Sequence, residues 1–425
     1  MKKYYQAALA LTATLSIIAL LFYRHEYNKL RFVLQFFNSF GSPPNNNNNN
    51  TCAIQFEDHL SSWQRVTHDL HIYSAYNHHD GEIISIALGR NTQTLSFACD
   101  ILFSDEVEPI AGKFTYENIN INNDNLDTDY DRQFSGYLFK CKYDKNSTNK
   151  TVVGIQLSSL QKNNNELNNF PIIRVNTYSR NNYTKKTNVI CVSPPMPRMM
   201  KYIDMVSFLA FHNKIGWNKF LVYDYGISPV FNDGIKKMEL SNNWNFTYTL
   251  ASWNFPYFKV SSQLMKNIIE IDCLHKNYNR ANLAITLAWD EYINLKYHTS
   301  VENLIFDVGK VSGKSADKFQ TTIEINCMNK NRSFSNIQIP MIYSETRVTS
   351  NINQNQPQYI YKLSNILNDY IIEQNVDDLL FIKKYQICNA VNNRKKMING
   401  ELRNSENLGN LKIFKYYLMG KLFSQ

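Results

Sequence analysis

The chain has 425 residues, a formal net charge of +9 and a mean hydropathy of −0.40. This length is sufficient for two domains. The basic residues are scattered, and no basic stripe is interleaved with aromatic residues, which argues against a nucleic acid partner. The modest basic excess suits an anionic ligand or an anionic membrane surface equally well.

The N-terminus has the pattern of a membrane segment. No residue between Lys3 and Arg24 is charged, and Tyr4 to Tyr23 is mostly Ala, Leu and Ile. Twenty helical residues span roughly 30 Å, which matches the hydrocarbon core of a bilayer. The run has no small-residue cleavage site at its end, so it predicts an uncleaved signal anchor at residues 4–23 after a cytosolic tail at residues 1–3. Basic residues flank both ends, so the positive-inside rule alone leaves the orientation open.

The next segment, residues 24–51, contains six consecutive asparagines and predicts a polar stem that cannot bury a core. Asn-x-Ser/Thr sequons follow along the chain, at Asn49, Asn146, Asn149, Asn182, Asn245 and Asn331. Seven widely spaced cysteines show no zinc-binding pattern and predict two or three disulfides in an oxidising compartment. These features favour a single-pass type II membrane protein of the secretory pathway, with a lumenal C-terminal domain.

Residues 52–187 are predicted to form a β-rich lumenal segment. Apolar residues alternate with polar ones in several short runs, which Asn- and Asp-rich turns separate. Cys99 and Cys141 both fall at inward positions of such runs, so they are a candidate disulfide. The segment contains no motif for chemistry and is interpreted as a scaffold.

From residue 188 the sequence changes to an alternation of strands and helices, which is typical of an α/β domain. The predicted helices are bounded by ordinary signals: Gly216 ends the first, and Ser261 or Ser262 caps the one that precedes Leu264. The predicted strands are Val189–Val192, Phe220–Tyr223, Phe246–Trp253 and the apolar run Leu283–Trp289.

Two of these strands stop at acidic residues. Phe220–Tyr223 ends at Asp224, and Leu283–Trp289 ends at Asp290-Glu291. Because ligands bind at the carboxyl edge of open α/β sheets, these carboxylates are predicted to lie in one cleft, on neighbouring strands. There they could hold a divalent cation and, through it, a diphosphate. The plain alternative is a polar turn after each strand.

Several segments, in this order and spacing, resemble glycosyltransferase family 92, also called the domain of unknown function 23 family. The resemblance covers roughly residues 188 to 293 and weakens towards 390. It rests on Val189-Ile190-Cys191-Val192-Ser193-Pro194, His212 through Gly216, Phe220-Leu221-Val222-Tyr223-Asp224, Trp253-Asn254-Phe255-Pro256, Gln263, Asp272-Cys273 and Trp289-Asp290-Glu291-Tyr292.

The resemblance implies a fold and a set of roles. It implies a type II protein of the Golgi or another secretory-pathway membrane, with a GT-A-like α/β domain at residues 188–425 that binds a nucleotide sugar. Tyr223 and Asp224 would contact the donor, Asp290 would ligate Mn²⁺ against the diphosphate, and Glu291 would orient the metal or the donor sugar. Asp378, in an acidic pair near the C-terminus, is a candidate general base, although such pairs also serve simply to favour a helix dipole.

The sequence departs from the family pattern at two positions. Ala288 stands where the first Asp of the Asp-x-Asp-Glu motif is expected, and losing one such oxygen weakens metal affinity about 10- to 100-fold. A late histidine is also expected as a metal ligand, yet the last histidine of the chain is His298. A lysine such as Lys383 could neutralise the diphosphate instead.

These observations support one leading hypothesis and two alternatives. The leading one is a glycosyltransferase that moves a sugar, galactose by resemblance, from a UDP-sugar donor to a glycan or glycoprotein acceptor. The first alternative is a catalytically silent relative that binds glycans or stabilises a partner. The second is an adhesion or receptor ectodomain unrelated to transferases.

Overall fold

The structure is a computed structural model of the whole chain. It describes residues 63–78, 81–91, 95–104, 108–119, 133–144, 151–159, 171–176, 187–194, 202–240, 245–257, 260–312, 316–328, 346–348, 357–364 and 371–387. The chain divides into two compact units, Met1–Tyr116 with Phe139–Asn176, and Glu117–Leu138 with Thr177–Gln425.

The N-terminal part of the chain forms an eight-stranded sheet with the order β1-β2-β3-β6-β5-β4-β7-β8. Several of its strands alternate buried and more exposed residues, as expected for strands with one face on a core, whereas β3 is buried along most of its length. They are β1 (Gln64–Thr67), β2 (Leu70–His78), β3 (Glu82–Arg90), β4 (Phe97–Phe103), β5 (Ile110–Ile119), β6 (Phe134–Lys142), β7 (Val152–Ser159) and β8 (Ile173–Asn176).

The candidate disulfide in this sheet is confirmed. Cys99 on β4 is bonded to Cys141 on β6, and both residues are buried. The strand between them, β5, passes the disulfide at Gly112, which pairs with Cys99. A Cβ atom at Gly112 would lie 2.5 Å from the Cys141 Sγ and 3.0 Å from the Cys99 Sγ. Glycine is therefore required here by close packing against the two sulfurs.

The C-terminal part contains a seven-stranded sheet with the order β11-β10-β9-β12-β17-β14-β18. The first four strands in this order are parallel, whereas β17 is antiparallel to both β12 and β14. The strands are β9 (Asn188–Val192), β10 (Lys219–Asp224), β11 (Thr247–Ser252), β12 (Leu283–Leu287), β14 (Lys318–Thr321), β17 (Gln358–Lys362) and β18 (Glu373–Asn375).

Four helices accompany this sheet within the described residues. They are α1 (Tyr202–Lys214), α2 (Pro229–Leu240), α3 (Ser262–Asn277) and α4 (Val301–Ser312). The predicted boundary signals are confirmed at two of them. Gly216 follows α1 with φ at 105°, and the Ser261 Oγ accepts a hydrogen bond from the Leu264 N–H at 3.1 Å.

The two faces of the parallel strands are covered by different helices. Val192, Val222 and Leu287 share a core with residues of α1, α2 and α4. Successive side chains of a strand point to opposite faces. Accordingly, Cys191 faces α3, where it is bonded to Cys273. This second disulfide fixes α3 against the sheet next to the end of β12.

A second, four-stranded sheet with the order β13-β19-β15-β16 follows the turn after β12. Its strands are β13 (Glu291–Leu295), β15 (Ile323–Met328), β16 (Thr346–Val348) and β19 (Leu380–Ile387). Strand β13 runs antiparallel to β19, with Glu291 opposite Lys384 and Leu295 opposite Leu380. Because of this register, Lys384 and not Lys383 lies opposite Glu291.

The predicted fold class, an α/β GT-A-like domain preceded by a β-rich segment and an N-terminal transmembrane helix, is wrong. The structure is strand-rich, with 49% strand and 23% helix. The prediction extended the strand–helix alternation of residues 188–290 to the C-terminus. Instead, the described residues beyond 290 form seven strands, β13 to β19, and one helix, α4. Their short apolar runs alternate with period two and pair as strands.

The expected localisation is corrected as well. In the part of the chain that the structure describes, no helix is both long enough and apolar enough to cross a bilayer. That finding overturns the prediction of a single-pass type II protein in a Golgi or other secretory-pathway membrane. The run at residues 4–23 that carried the prediction lies outside the described residues, as do the tail at 1–3 and the stem at 24–51.

Candidate functional site

The acidic pair lies in a tight turn between the two sheets of the C-terminal part. Strand β12 ends at Leu287, and β13 begins at Glu291. The Glu291 N–H donates to the Ala288 carbonyl at 3.0 Å, and the Ala288 N–H donates to the Glu291 Oε2 at 2.9 Å. Between them, Trp289 is buried in the core. The turn is therefore closed by its own carboxylate and anchored by a tryptophan.

Glu291 is a buried carboxylate held by two lysines. Its side chain is 1% exposed, and the Lys266 Nζ donates to its Oε2 at 2.7 Å while the Lys384 Nζ lies 3.4 Å from its Oε1. Burial alone would raise the pKa of this carboxyl, but the charges of the two lysines outweigh burial and lower it to about 2. Glu291 is thus ionised, and both of its oxygens are occupied.

Asp290, by contrast, is partly exposed at the outer side of the turn. Burial, and then the charge of Glu291, raise the pKa of its carboxyl to about 6. Its backbone carbonyl accepts a hydrogen bond from the Tyr385 N–H at 2.9 Å, which ties the turn to β19. Asp290 is therefore the more accessible acid of the pair.

Asp224 ends β10 and caps the loop that follows it. Its Oδ1 accepts hydrogen bonds from the Gly226 N–H at 2.8 Å and the Ile227 N–H at 2.6 Å. Tyr223 is completely buried, and its hydroxyl donates to the Asp272 Oδ2 at 2.5 Å. The structure therefore places the Tyr223 side chain in the interior, against α3, and the Asp224 side chain in a loop turn.

The two acidic strand ends lie at the same edge of the sheet but not on neighbouring strands. Val192 of β9 pairs with Val222 on one side and with Leu287 on the other, so Asp224 and Trp289 are level. Strand β9 lies between β10 and β12, so the ends of β10 and β12 are separated laterally by about 10 Å. The prediction of neighbouring strands is corrected accordingly.

Asp378 lies away from this edge. It is exposed in the turn that precedes β19, whereas Lys384 is six positions further along that strand. Six strand residues span about 20 Å. Asp378 is therefore at the opposite end of the β13–β19 pair from Glu291, and the structure does not bring the two predicted catalytic acids together.

The residues at the turn do not fit the Mn²⁺ ion that the family resemblance implies. Ala288 offers no oxygen from its side chain, and the oxygens of Glu291 are taken by Lys266, Lys384 and a backbone N–H. Asp290 is the remaining carboxylate, and Mn²⁺ requires several oxygen ligands. Among the described residues, no three His, Cys, Asp or Glu side chains group together as a metal site.

Sequence reasoning missed the two lysines that define the site. Lys383 was the candidate cation, but its Cα pairs with Tyr292, whereas Lys384 is opposite Glu291. Successive side chains of a strand point to opposite faces, so Lys383 and Lys384 cannot both face the acidic pair. Lys384 was therefore the alternative that the sequence offered to Lys383. For Lys266, on α3, the sequence carries no comparable signal.

No family model matches this chain, and no curated protein matches it.

Proposed function

We propose that the chain transfers a sugar from a UDP-sugar donor, galactose by resemblance, to a glycan acceptor, with the donor diphosphate bound at the turn Ala288–Glu291. One observation carries the proposal. A buried carboxylate and two lysines from separate elements converge at the carboxyl edge of a parallel strand, beside a partly exposed aspartate. Such an edge is the usual ligand position in sheets of this type.

The chemistry of the reaction explains why these groups suit it. The bond between the anomeric carbon and the diphosphate oxygen breaks, and the acceptor oxygen forms the new bond to that carbon. The electron pair leaves with the diphosphate, and the proton of the acceptor hydroxyl passes to the departing diphosphate oxygen, which exchanges it with solvent. Lysine ammonium groups stabilise the extra negative charge on the departing diphosphate. In this proposal, Asp290 accepts hydrogen bonds from hydroxyls of the donor sugar.

A second candidate function is a sugar-binding protein without transferase activity. It is favoured by the position of the two acids that were expected to be catalytic. Glu291 is locked in ion pairs with a pKa lowered to about 2, which makes it a weak base. Asp378 is at the far end of β19. Neither acid is placed to take the proton of an acceptor hydroxyl.

The two functions are distinguished by turnover of UDP-galactose and other UDP-sugars by the full chain on a panel of glycans. Asp290→Asn is expected to lower turnover about 10- to 100-fold, because this factor corresponds to the loss of one hydrogen bond to a charged group. Asp378→Asn is the matched control and should leave turnover unchanged. UDP binding without any turnover of wild type would support the sugar-binding protein. Equal losses in both variants would remove the turn as the site.

A further inference from the structure

Two ammonium groups meet at one carboxylate in the turn after β12. Lys266 comes from α3 and Lys384 from β19, and they approach different oxygens of Glu291. A buried carboxylate needs one cation to balance its charge. The second lysine therefore brings positive charge beyond what Glu291 requires.

The formal charges of this group match those of a metal site. A Mn²⁺ ion held by two aspartates has a net charge of zero. Lys266 and Lys384 with Asp290 and Glu291 ionised also have a net charge of zero. The two positive charges are thus already present as side chains at a site that lacks the oxygens for an ion.

The two lysines differ in their access to solvent. The side chain of Lys266 is 12% exposed, and its short ion pair of 2.7 Å holds it on Glu291. The side chain of Lys384 is 34% exposed, and its distance to Glu291 is 3.4 Å. An ammonium has three donors, so Lys384 can contact both Glu291 and a phosphate oxygen. Lys266 holds the carboxylate, and Lys384 is the more exposed of the two lysines.

We infer that the turn binds a diphosphate without a divalent metal, with Lys384 as the phosphate ligand and Lys266 as the positioning residue that balances Glu291. This inference rests on the proposed function and names the cation that replaces the metal in it. The phosphate contact places the ammonium where negative charge accumulates as the sugar departs.

The test measures binding of UDP and of inorganic pyrophosphate to the full chain by calorimetry, in EDTA and in Mn²⁺. For each probe, the affinity measured in EDTA is expected to equal the affinity measured in Mn²⁺. Lys384→Gln should weaken binding of both about tenfold or more. Lys384→Arg should retain most of it, because the charge and donors remain. Lys383→Gln, one position away on the same strand, is the matched control and should bind as wild type does.

The outcomes separate this inference from the proposed function. Binding of UDP that disappears in EDTA would overturn the metal-free site and leave nucleotide-sugar binding standing. Binding of pyrophosphate but not UDP, lost in Lys384→Gln, would keep the anion site and overturn the proposed function. Binding of neither probe would overturn both. A thermal melt of each variant shows whether a loss of affinity reflects unfolding. Equal losses of affinity in Lys384→Gln and Lys383→Gln would also reject the role of Lys384.

Discussion

Two strands of the parallel sheet lead to aspartates at the same edge of the sheet, and the two aspartates have different surroundings. At the end of β10, the Asp224 carboxylate accepts hydrogen bonds from the backbone N–H groups of Gly226 and Ile227. After β12, the acidic pair meets two lysines that come from distant elements. An acid at a strand end is thus not a site by itself. The opposite charge that other elements bring to it makes the difference.

The contrast is also one of burial. Glu291 is 1% exposed and ionised, whereas Asp224 is partly exposed and caps a loop. Buried ions are tolerated only with partners, so the turn after β12 depends on its charge balance. The turn after β10 depends on ordinary hydrogen bonds. Substitutions at the two turns should therefore have effects of different size and different pH dependence.

The largest effect is expected for Glu291→Ala. Removing this carboxylate takes away the ion-pair partner of Lys266 and Lys384 and leaves the Ala288 N–H without its acceptor in the turn. The free energy of unfolding should fall by about 3–5 kcal/mol, as for other broken buried ion pairs. Urea unfolding of the full chain at pH 7 measures it. A loss below about 1 kcal/mol would show that the cluster is not a structural centre.

The pH dependence of that loss gives a second, smaller signal. The pKa of Glu291 is lowered from its usual value of 4.5 to about 2, so its ionised form stabilises the folded state above pH 4.5. This contribution, about 3 kcal/mol at one pKa unit per 1.4 kcal/mol, is lost as the pH falls from 4.5 to 2. The stability difference between wild type and Glu291→Ala should shrink over that window. A constant difference would contradict the lowered pKa.

Asp290 should behave in the opposite way. Its pKa is raised to about 6, so the folded state holds its proton more tightly than the unfolded state does. The resulting stabilisation is complete below pH 3.8 and is lost as the pH rises through 6. Asp290→Asn should therefore raise the free energy of unfolding at pH 7 by roughly 1–3 kcal/mol and leave it nearly unchanged at pH 3. A variant that is less stable at pH 7 would argue against an unfavourable charge at this position.

A gain in stability together with a loss of turnover in Asp290→Asn would identify Asp290 as a residue held for function. Active sites often keep charged groups in surroundings that disfavour them. The same substitution at Asp378 changes an exposed acid in a turn. It serves as the control for both measurements, with no change expected in either.

Local patterns predicted the elements around the site, but not the site's decisive partners. The strand at Phe220–Tyr223 and the Ser261 cap follow from periodicity and capping signals within short windows, and the Cys99–Cys141 disulfide follows from the inward positions of both cysteines in two such runs. The contact of Lys384 with Glu291 joins residues 93 positions apart. It depends on the register between β13 and β19, which no local window contains.

The fold class failed for a related reason. A run of alternating strands and helices up to Asp290 predicts a continuation of the same pattern, whereas the chain turns into a second sheet at that residue. Short strands such as β18, with three residues, carry too little periodicity to be recognised. Their pairing with strands far along the chain stabilises them in the folded state.

The smallest effect is expected for Asp224→Asn. The amide oxygen can still accept hydrogen bonds from the Gly226 and Ile227 N–H groups, so the loop turn should remain. Only the contribution of the negative charge is removed, and the free energy of unfolding should fall by less than about 1 kcal/mol. Urea unfolding beside Glu291→Ala under the same conditions measures the contrast between the turns. Under the proposed function, in which the resemblance implies that Asp224 lies near the uridine or ribose of the donor, UDP affinity should still fall several-fold in this stable variant, while pyrophosphate affinity stays the same. A parallel loss of pyrophosphate affinity would mean that Asp224 affects binding along the whole edge of the sheet. A loss of stability comparable to that of Glu291→Ala would remove the distinction between a capped loop and a charged site.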